Sequence, residues 1–89
     1  MYQIFYSEDA RNDLRNLDQA VAKRIVKKIE FFGQQDNVLT FAKVLADFRI
    51  GSYRFRIGQH RVIFDIDSFG KLKILKILRI MHRKDVYDL

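Results

Sequence analysis

Arg54, Arg56 and Arg61 stand on either side of Gly58-Gln59, and His82, Arg83 and Tyr87 come together just before the chain ends. Guanidinium groups bind phosphate bidentately, while imidazole and phenol groups exchange protons. Such a set suits cleavage of a ribose phosphodiester without a metal. That reaction needs a group to take the proton from the 2′-OH, cations to stabilise the pentacoordinate phosphate, and an acid to protonate the leaving 5′ oxygen. Other chemistries find less support. Asp65, Asp67, Asp85 and Asp88 lack the spacing of a two-metal site, two His without Cys do not make a zinc site, and no Gly-rich phosphate loop opens a helix. Ser7, Ser52 and Ser68 have no evident Ser-His-Asp company. The site is therefore expected to hold neither cofactor nor metal.

The elements that must position these residues follow from periodicity. Tyr2, Ile4 and Tyr6 alternate as a short strand that Ser7 ends. Ser7 is a good N-cap, and Glu8 and Asp9 put negative charge in the first turn of the helix it would open. Leu14, Leu17, Val21, Ile25, Ile29 and Phe32 then recur at three- and four-residue steps, and Asp18 interrupts them as a second cap. This predicts helices over about residues 8–16 and 19–32, with Gly33 at C′. Residues 34–48 show no decisive period. From Tyr53 the pattern has period two, and Gly58-Gln59 suits a two-residue type II′ hairpin turn. Asp67 to Gly70 supply a second turn, and Leu72 to Met81 a last strand that helical periodicity also fits. The expectation is one α+β domain over residues 1–89, ordered β-α-α-β-β-β, with a mainly antiparallel sheet packed on a helical hairpin and its other face open to water.

A two-residue turn at Gly58-Gln59 sets Ile57 opposite His60, Arg56 opposite Arg61, Phe55 opposite Val62 and Arg54 opposite Ile63. Like charges in directly opposed positions destabilise a ladder, so the cluster implies an anion between them. Asp65 or Asp47 could neutralise part of it, but two carboxylates do not balance three guanidinium groups. By the same alternation His60 points inward, a structural position. The tail following the last strand can bring His82, Arg83 and Tyr87 to the rim of the arginine face.

Eighty-nine residues with 48% hydrophobic content allow one domain with a packed core and exclude a two-domain enzyme. The absence of Cys fits a reducing cytoplasm, and no stretch approaches the ~20 apolar residues of a membrane span. Seven basic and seven acidic residues balance in positions 1–48, whereas positions 49–89 hold ten basic against four acidic. The whole excess of +6 lies in the C-terminal half, which suits a polyanionic partner.

The stretch Tyr53 to Asp67, with Ile77-Leu78-Arg79-Ile80-Met81-His82-Arg83-Lys84-Asp85-Val86-Tyr87, resembles the RelE toxins of bacterial and archaeal toxin–antitoxin systems. The Ala10, Leu14, Leu17, Val21, Ile25 pattern fits as well. The resemblance implies the β-α-α-β-β-β fold and ribosome-dependent, metal-independent cleavage of A-site mRNA by 2′-OH attack. It implies a RelB-like antitoxin as partner, and operator DNA reached only through the antitoxin complex. Arg54 and Arg56 match a basic pair often made of lysines, and as arginines they suit electrostatic positioning better than proton abstraction. Arg61 and Arg83 match arginines that stabilise transition-state charge. Tyr87 matches a tyrosine that stacks on a base and acts as acid or base, with His82 a competing proton carrier. Two alternatives remain: a related ParE-like inhibitor of DNA gyrase, and a basic module that binds without catalysis.

Overall fold

The computed structural model describes residues 1–46 and 49–86. Strand β1 (Gln3–Tyr6) leads into α1 (Glu8–Arg15) and α2 (Gln19–Gly33). A 3₁₀ turn (Val38–Phe41), β2 (Ala42–Val44), β3 (Tyr53–Ile57), β4 (His60–Phe69), β5 (Leu72–His82) and α3 (Arg83–Val86) follow. The five strands form one sheet in the order β1-β5-β4-β3-β2, antiparallel except where β1 runs parallel to β5. The expected α+β architecture is thus present, extended by a short β2 and by α3.

Local chemistry explains the helical hairpin. The Ser7 hydroxyl accepts from the Ala10 amide at 3.0 Å, capping α1, and itself donates to the Leu78 carbonyl at 2.9 Å. Asp18 occupies the N-cap position of α2 without a side-chain capping bond, and α1 has already ended at Arg15 with Asn16 as its C-cap. Gly33 is the last residue of α2 instead of the C′ residue. Its value is steric: a Cβ there would lie 3.2 Å from Ile4 Cδ1, and the Tyr2 amide donates to the Gly33 carbonyl at 2.8 Å. The end of α2 therefore sits directly on β1.

The core lies between the helices and one face of the sheet. Ile25 and Ile29 of α2 meet Phe55, Val62, Phe64, Leu75, Ile77 and Ile80, all buried. Its centre is a column of rings: Phe55 stacks on Phe64 with centroids 4.1 Å apart, and Phe32 lies 4.5 Å from Phe55. Each such side chain contributes about 1.5–3 kcal/mol through burial.

β1 ends at Tyr6, so the edge of β5 beyond Ile77 needs other partners. α1 supplies them. The Asp13 carboxylate accepts from the Ile80 amide at 2.8 Å and from Arg79 Nε at 2.8 Å. No helix among the described residues is long and apolar enough to cross a membrane.

A cationic cleft on the outer face of the sheet

The β3–β4 hairpin has the expected register: Arg54 opposite Ile63, Phe55 opposite Val62, Arg56 opposite Arg61 and Ile57 opposite His60. Gly58 has φ 58° and no other residue of the turn has positive φ, as a type II′ turn requires. The second turn is tighter than the sequence implies. β4 continues through Asp67 and Ser68 to Phe69, which pairs with Leu72, and only Gly70 and Lys71 remain between the strands.

β2 adds a residue the sequence did not single out. Lys43 pairs with Arg54, so Lys43, Arg54, Ile63 and Arg79 form one row across four strands, beside a second row of Arg56, Arg61 and Met81. Lys43, Arg54, Arg56 and Arg61, with Thr40, Phe41 and Ala42, line a cleft of about 340 Å³. Within this cleft the cations differ. Lys43 and Arg56 are exposed and Arg54 is half-buried. Arg61 is only 3% exposed and its guanidinium donates to the carbonyls of Gly58 at 3.1 Å and His60 at 3.0 Å. Arg61 thus braces the hairpin turn while placing its charge at the cleft. The Arg83 amide donates to the Gln59 carbonyl at 2.8 Å, which docks the start of α3 on the same turn.

The outer face is not uniformly open to water. Gly51 crosses it so closely that a Cβ there would lie 2.5 Å from Ile63 Cγ2, and Ile63 is fully buried outside the main core. Arg49 and Ile50 continue this cover toward Arg79. Asp65 lies on the outer face, where its carboxylate accepts from the Ser52 amide at 2.7 Å, and Asp67 pairs with Lys76 at 3.4 Å. Asp47 lies outside the described residues.

His82 is not on the arginine face. Ile63 pairs with Arg79 but Phe64 with Ile77, so Leu78 is an extra residue, a β-bulge. Regular alternation from the buried Ile77 would turn His82 outward with the arginines. The bulge reverses that parity, puts Ile80 in the core and sets His82 opposite His60, ring centroids 5.6 Å apart. His82 Nδ1 accepts from the Lys84 amide at 3.3 Å. His60 faces the helices as its alternation implied, and its pKa is lowered by burial first, then by the nearby His82, Arg24 and Arg61. Tyr87 lies outside the described residues. Arg54, Arg56 and Arg61 therefore meet in one cleft, Arg83 is held at the hairpin turn by its amide and is not among the cleft's lining residues, and His82 sits behind the sheet.

Among the described residues no three potential ligands gather to hold a metal ion. Chemically the cleft presents cations from β2 and the β3–β4 hairpin, with Thr40 and Phe41 also in its lining, a set of groups suited to an anion.

A small α+β domain with a cationic outer sheet face is the architecture of a toxin of the RelE/ParE superfamily. Residues 4–87 match the family described as ParE toxin of type II toxin-antitoxin system, parDE, and the chain belongs to that family. Among solved structures it is similar to the toxin–antitoxin complex RelBE2 from Mycobacterium tuberculosis, with a TM-score of 0.70 and 27% identity over 92% of this chain and 98% of that one. The archaeal RelE–RelB complex from Pyrococcus horikoshii OT3 shares the fold, with a TM-score of 0.66 and 24% identity over 92% and 94% of the two chains. So does the YoeB/ParE toxin from Agrobacterium tumefaciens, at a TM-score of 0.67 and 13% identity over 90% and 97%. No curated protein matches the chain.

Proposed function

We propose that this type II toxin is a metal-independent, ribosome-dependent endoribonuclease acting on A-site mRNA. The observation that carries the reading is the convergence of Lys43, Arg54, Arg56 and Arg61 on one cleft. In the reaction the ribose 2′ oxygen bonds to phosphorus and the bond from phosphorus to the 5′ oxygen breaks, leaving a 2′,3′-cyclic phosphate and a 5′ hydroxyl. Charge builds on the equatorial phosphate oxygens, and fixed cations at that point lower the barrier. Arg54 and Arg56 line the cleft and serve this role. Arg61 adds charge and rigidity, and Arg83 enters from α3. Guanidinium groups are poor bases, so proton transfer falls to Tyr87 and not to the arginines; His82 faces the helices and is displaced from this role. The natural partners are a RelB-like antitoxin covering the cationic surface and the cytoplasmic ribosome, with operator DNA met only through the antitoxin complex.

A second reading has its own support. The family match carries the ParE description, and a ParE-like inhibitor of DNA gyrase is the alternative that the sequence resemblance leaves open. The test is mRNA cleavage on purified 70S ribosomes beside a gyrase supercoiling assay, with wild type, Arg54→Ala and Arg56→Ala. Arg61→Ala is a poorer probe because it also removes the brace of the turn. Ribosome-dependent cleavage that survives EDTA treatment of the toxin and falls about 10²-fold in either variant supports the nuclease. Loss of supercoiling without cleavage moves the protein to the gyrase branch.

A further inference from the structure

Phe41 is a large apolar side chain in an unexpected place. It lines the same cleft as Lys43, Arg54, Arg56 and Arg61, and it is 39% exposed. One face of its ring is backed: it stacks on Phe32 with centroids 5.0 Å apart and planes at 25°, and Phe31 meets it edge-on at 6.2 Å. Phe32 in turn leans on Phe55, and Phe55 on Phe64, so the ring ends a column of aromatics that reaches into the core. An exposed phenyl held this firmly presents its outward face with little rotamer freedom left to lose. The Asn37 side chain caps the 3₁₀ turn through the Leu39 amide at 3.1 Å, and Phe41 passes directly into β2, where Lys43 stands two residues on. The ring and Lys43 are therefore carried on one short segment, which β2 pairs to the strand bearing Arg54 and Arg56.

We infer that Phe41 is a base-stacking platform and that the cleft takes an unpaired nucleotide, its base on the Phe41 ring and an adjacent phosphate among Lys43, Arg54 and Arg56. Aromatic faces beside a cationic groove recognise single-stranded nucleic acid because every base has a π-face, whereas a base within a duplex is already stacked on its neighbours. The inference rests on the nucleic-acid reading of the cleft and adds to it a strand preference and a contact residue. The platform is sequence-tolerant, so this residue governs affinity for an unstacked base more than choice of base.

The test uses the full chain and a six-nucleotide RNA carrying 2-aminopurine, with 2′-O-methyl groups throughout so that binding is read without cleavage. Phe41→Leu keeps an apolar side chain against Phe32 but removes the ring, and Phe41→Trp keeps a ring. At low salt the wild type and Phe41→Trp should bind and quench 2-aminopurine fluorescence, and Phe41→Leu should bind about 5- to 150-fold more weakly with the quench gone. Thermal melting of each variant shows that the folded protein is being compared. Wild-type binding to the same strand in a duplex should be weaker. Equal binding by Phe41→Leu, an unchanged quench, equal duplex affinity or no binding by the wild type would each overturn the inference. Quenched, Phe41-dependent binding by a protein that cleaves no ribosomal mRNA would uphold it while refuting the nuclease. Binding that falls in Arg56→Ala but not in Phe41→Leu would refute the platform and leave the cationic cleft.

Discussion

Asp13 bears on both stability and the placement of the site, because its carboxylate closes the edge of β5 just before that strand reaches His82 and α3. It accepts from Arg79 Nε at 2.8 Å, from the second Arg79 nitrogen at 3.2 Å and from the Ile80 amide at 2.8 Å. The Arg79 side chain is 43% exposed, so that pair is screened and contributes about 0.2–1 kcal/mol, although the bond from Asp13 raises the Arg79 pKa. The Ile80 amide is the larger loss. Asp13→Ala removes its charge-assisted acceptor and leaves a strand N–H unpaired, at a cost of about 1.5–3 kcal/mol. Together these come to about 2–4 kcal/mol, which in a domain of this size lowers Tm by about 10–20 °C. Asp13→Asn keeps an acceptor for Ile80 and should lose about 1 kcal/mol, and Arg79→Met should lose less than that. Urea unfolding of the three variants gives the order Asp13→Ala, then Asp13→Asn, then Arg79→Met. If Asp13→Ala costs no more than Arg79→Met, the edge bond to Ile80 contributes nothing and the reasoning fails.

The lowered pKa of His60 makes a second prediction. The unfolded chain protonates at the ordinary histidine value of 6.5 while the folded one resists, so stability is held above pH 6.5 and is lost as pH falls through the lower folded value. His60→Leu should flatten that acid limb in urea titrations between pH 7 and 5. Gly58→Ala isolates backbone strain, since a Cβ at φ 58° meets nothing within 4 Å. It should cost about 1–2 kcal/mol by thermal melting. It should also loosen the carbonyl that holds Arg61, so ribosome-dependent activity should fall beyond what lost stability explains.

Much of the fold was legible because local rules agreed. The Asp18 break, the helical stripe and the Gly58-Gln59 turn each follow from a few neighbouring residues, and the turn then dictated the Arg56–Arg61 pairing. Three features were not legible, all for nonlocal reasons. β2 is three residues long and exists because β3 offers it an edge, so Val38, Phe41 and Val44 show no period and Lys43 and Phe41 went unmarked. The pattern of outward alternation around Ile63 gave no hint that Gly51 would cover it. The bulge at Leu78 carries no glycine or proline to announce it, yet that one residue decides which side of the sheet His82 faces.

The parallel pairing of β1 with β5 has a consequence for how the molecule comes into being. Residues 3–6 find their sheet partners at 74–77, and the Ser7 hydroxyl reaches a carbonyl 71 residues further on. During synthesis the first strand has nothing to pair with until the last has emerged, and contacts of such high order form late. The hairpin that carries Arg54, Arg56 and Arg61 can close earlier, but β4 then lacks its neighbour and the helices lack the core residues Leu75, Ile77 and Ile80 of β5. Completion of the sheet consequently waits for β5. A nascent chain stalled before β5 carries Arg54, Arg56 and Arg61 on an unfinished scaffold, and the sheet is whole only once β5 has been made.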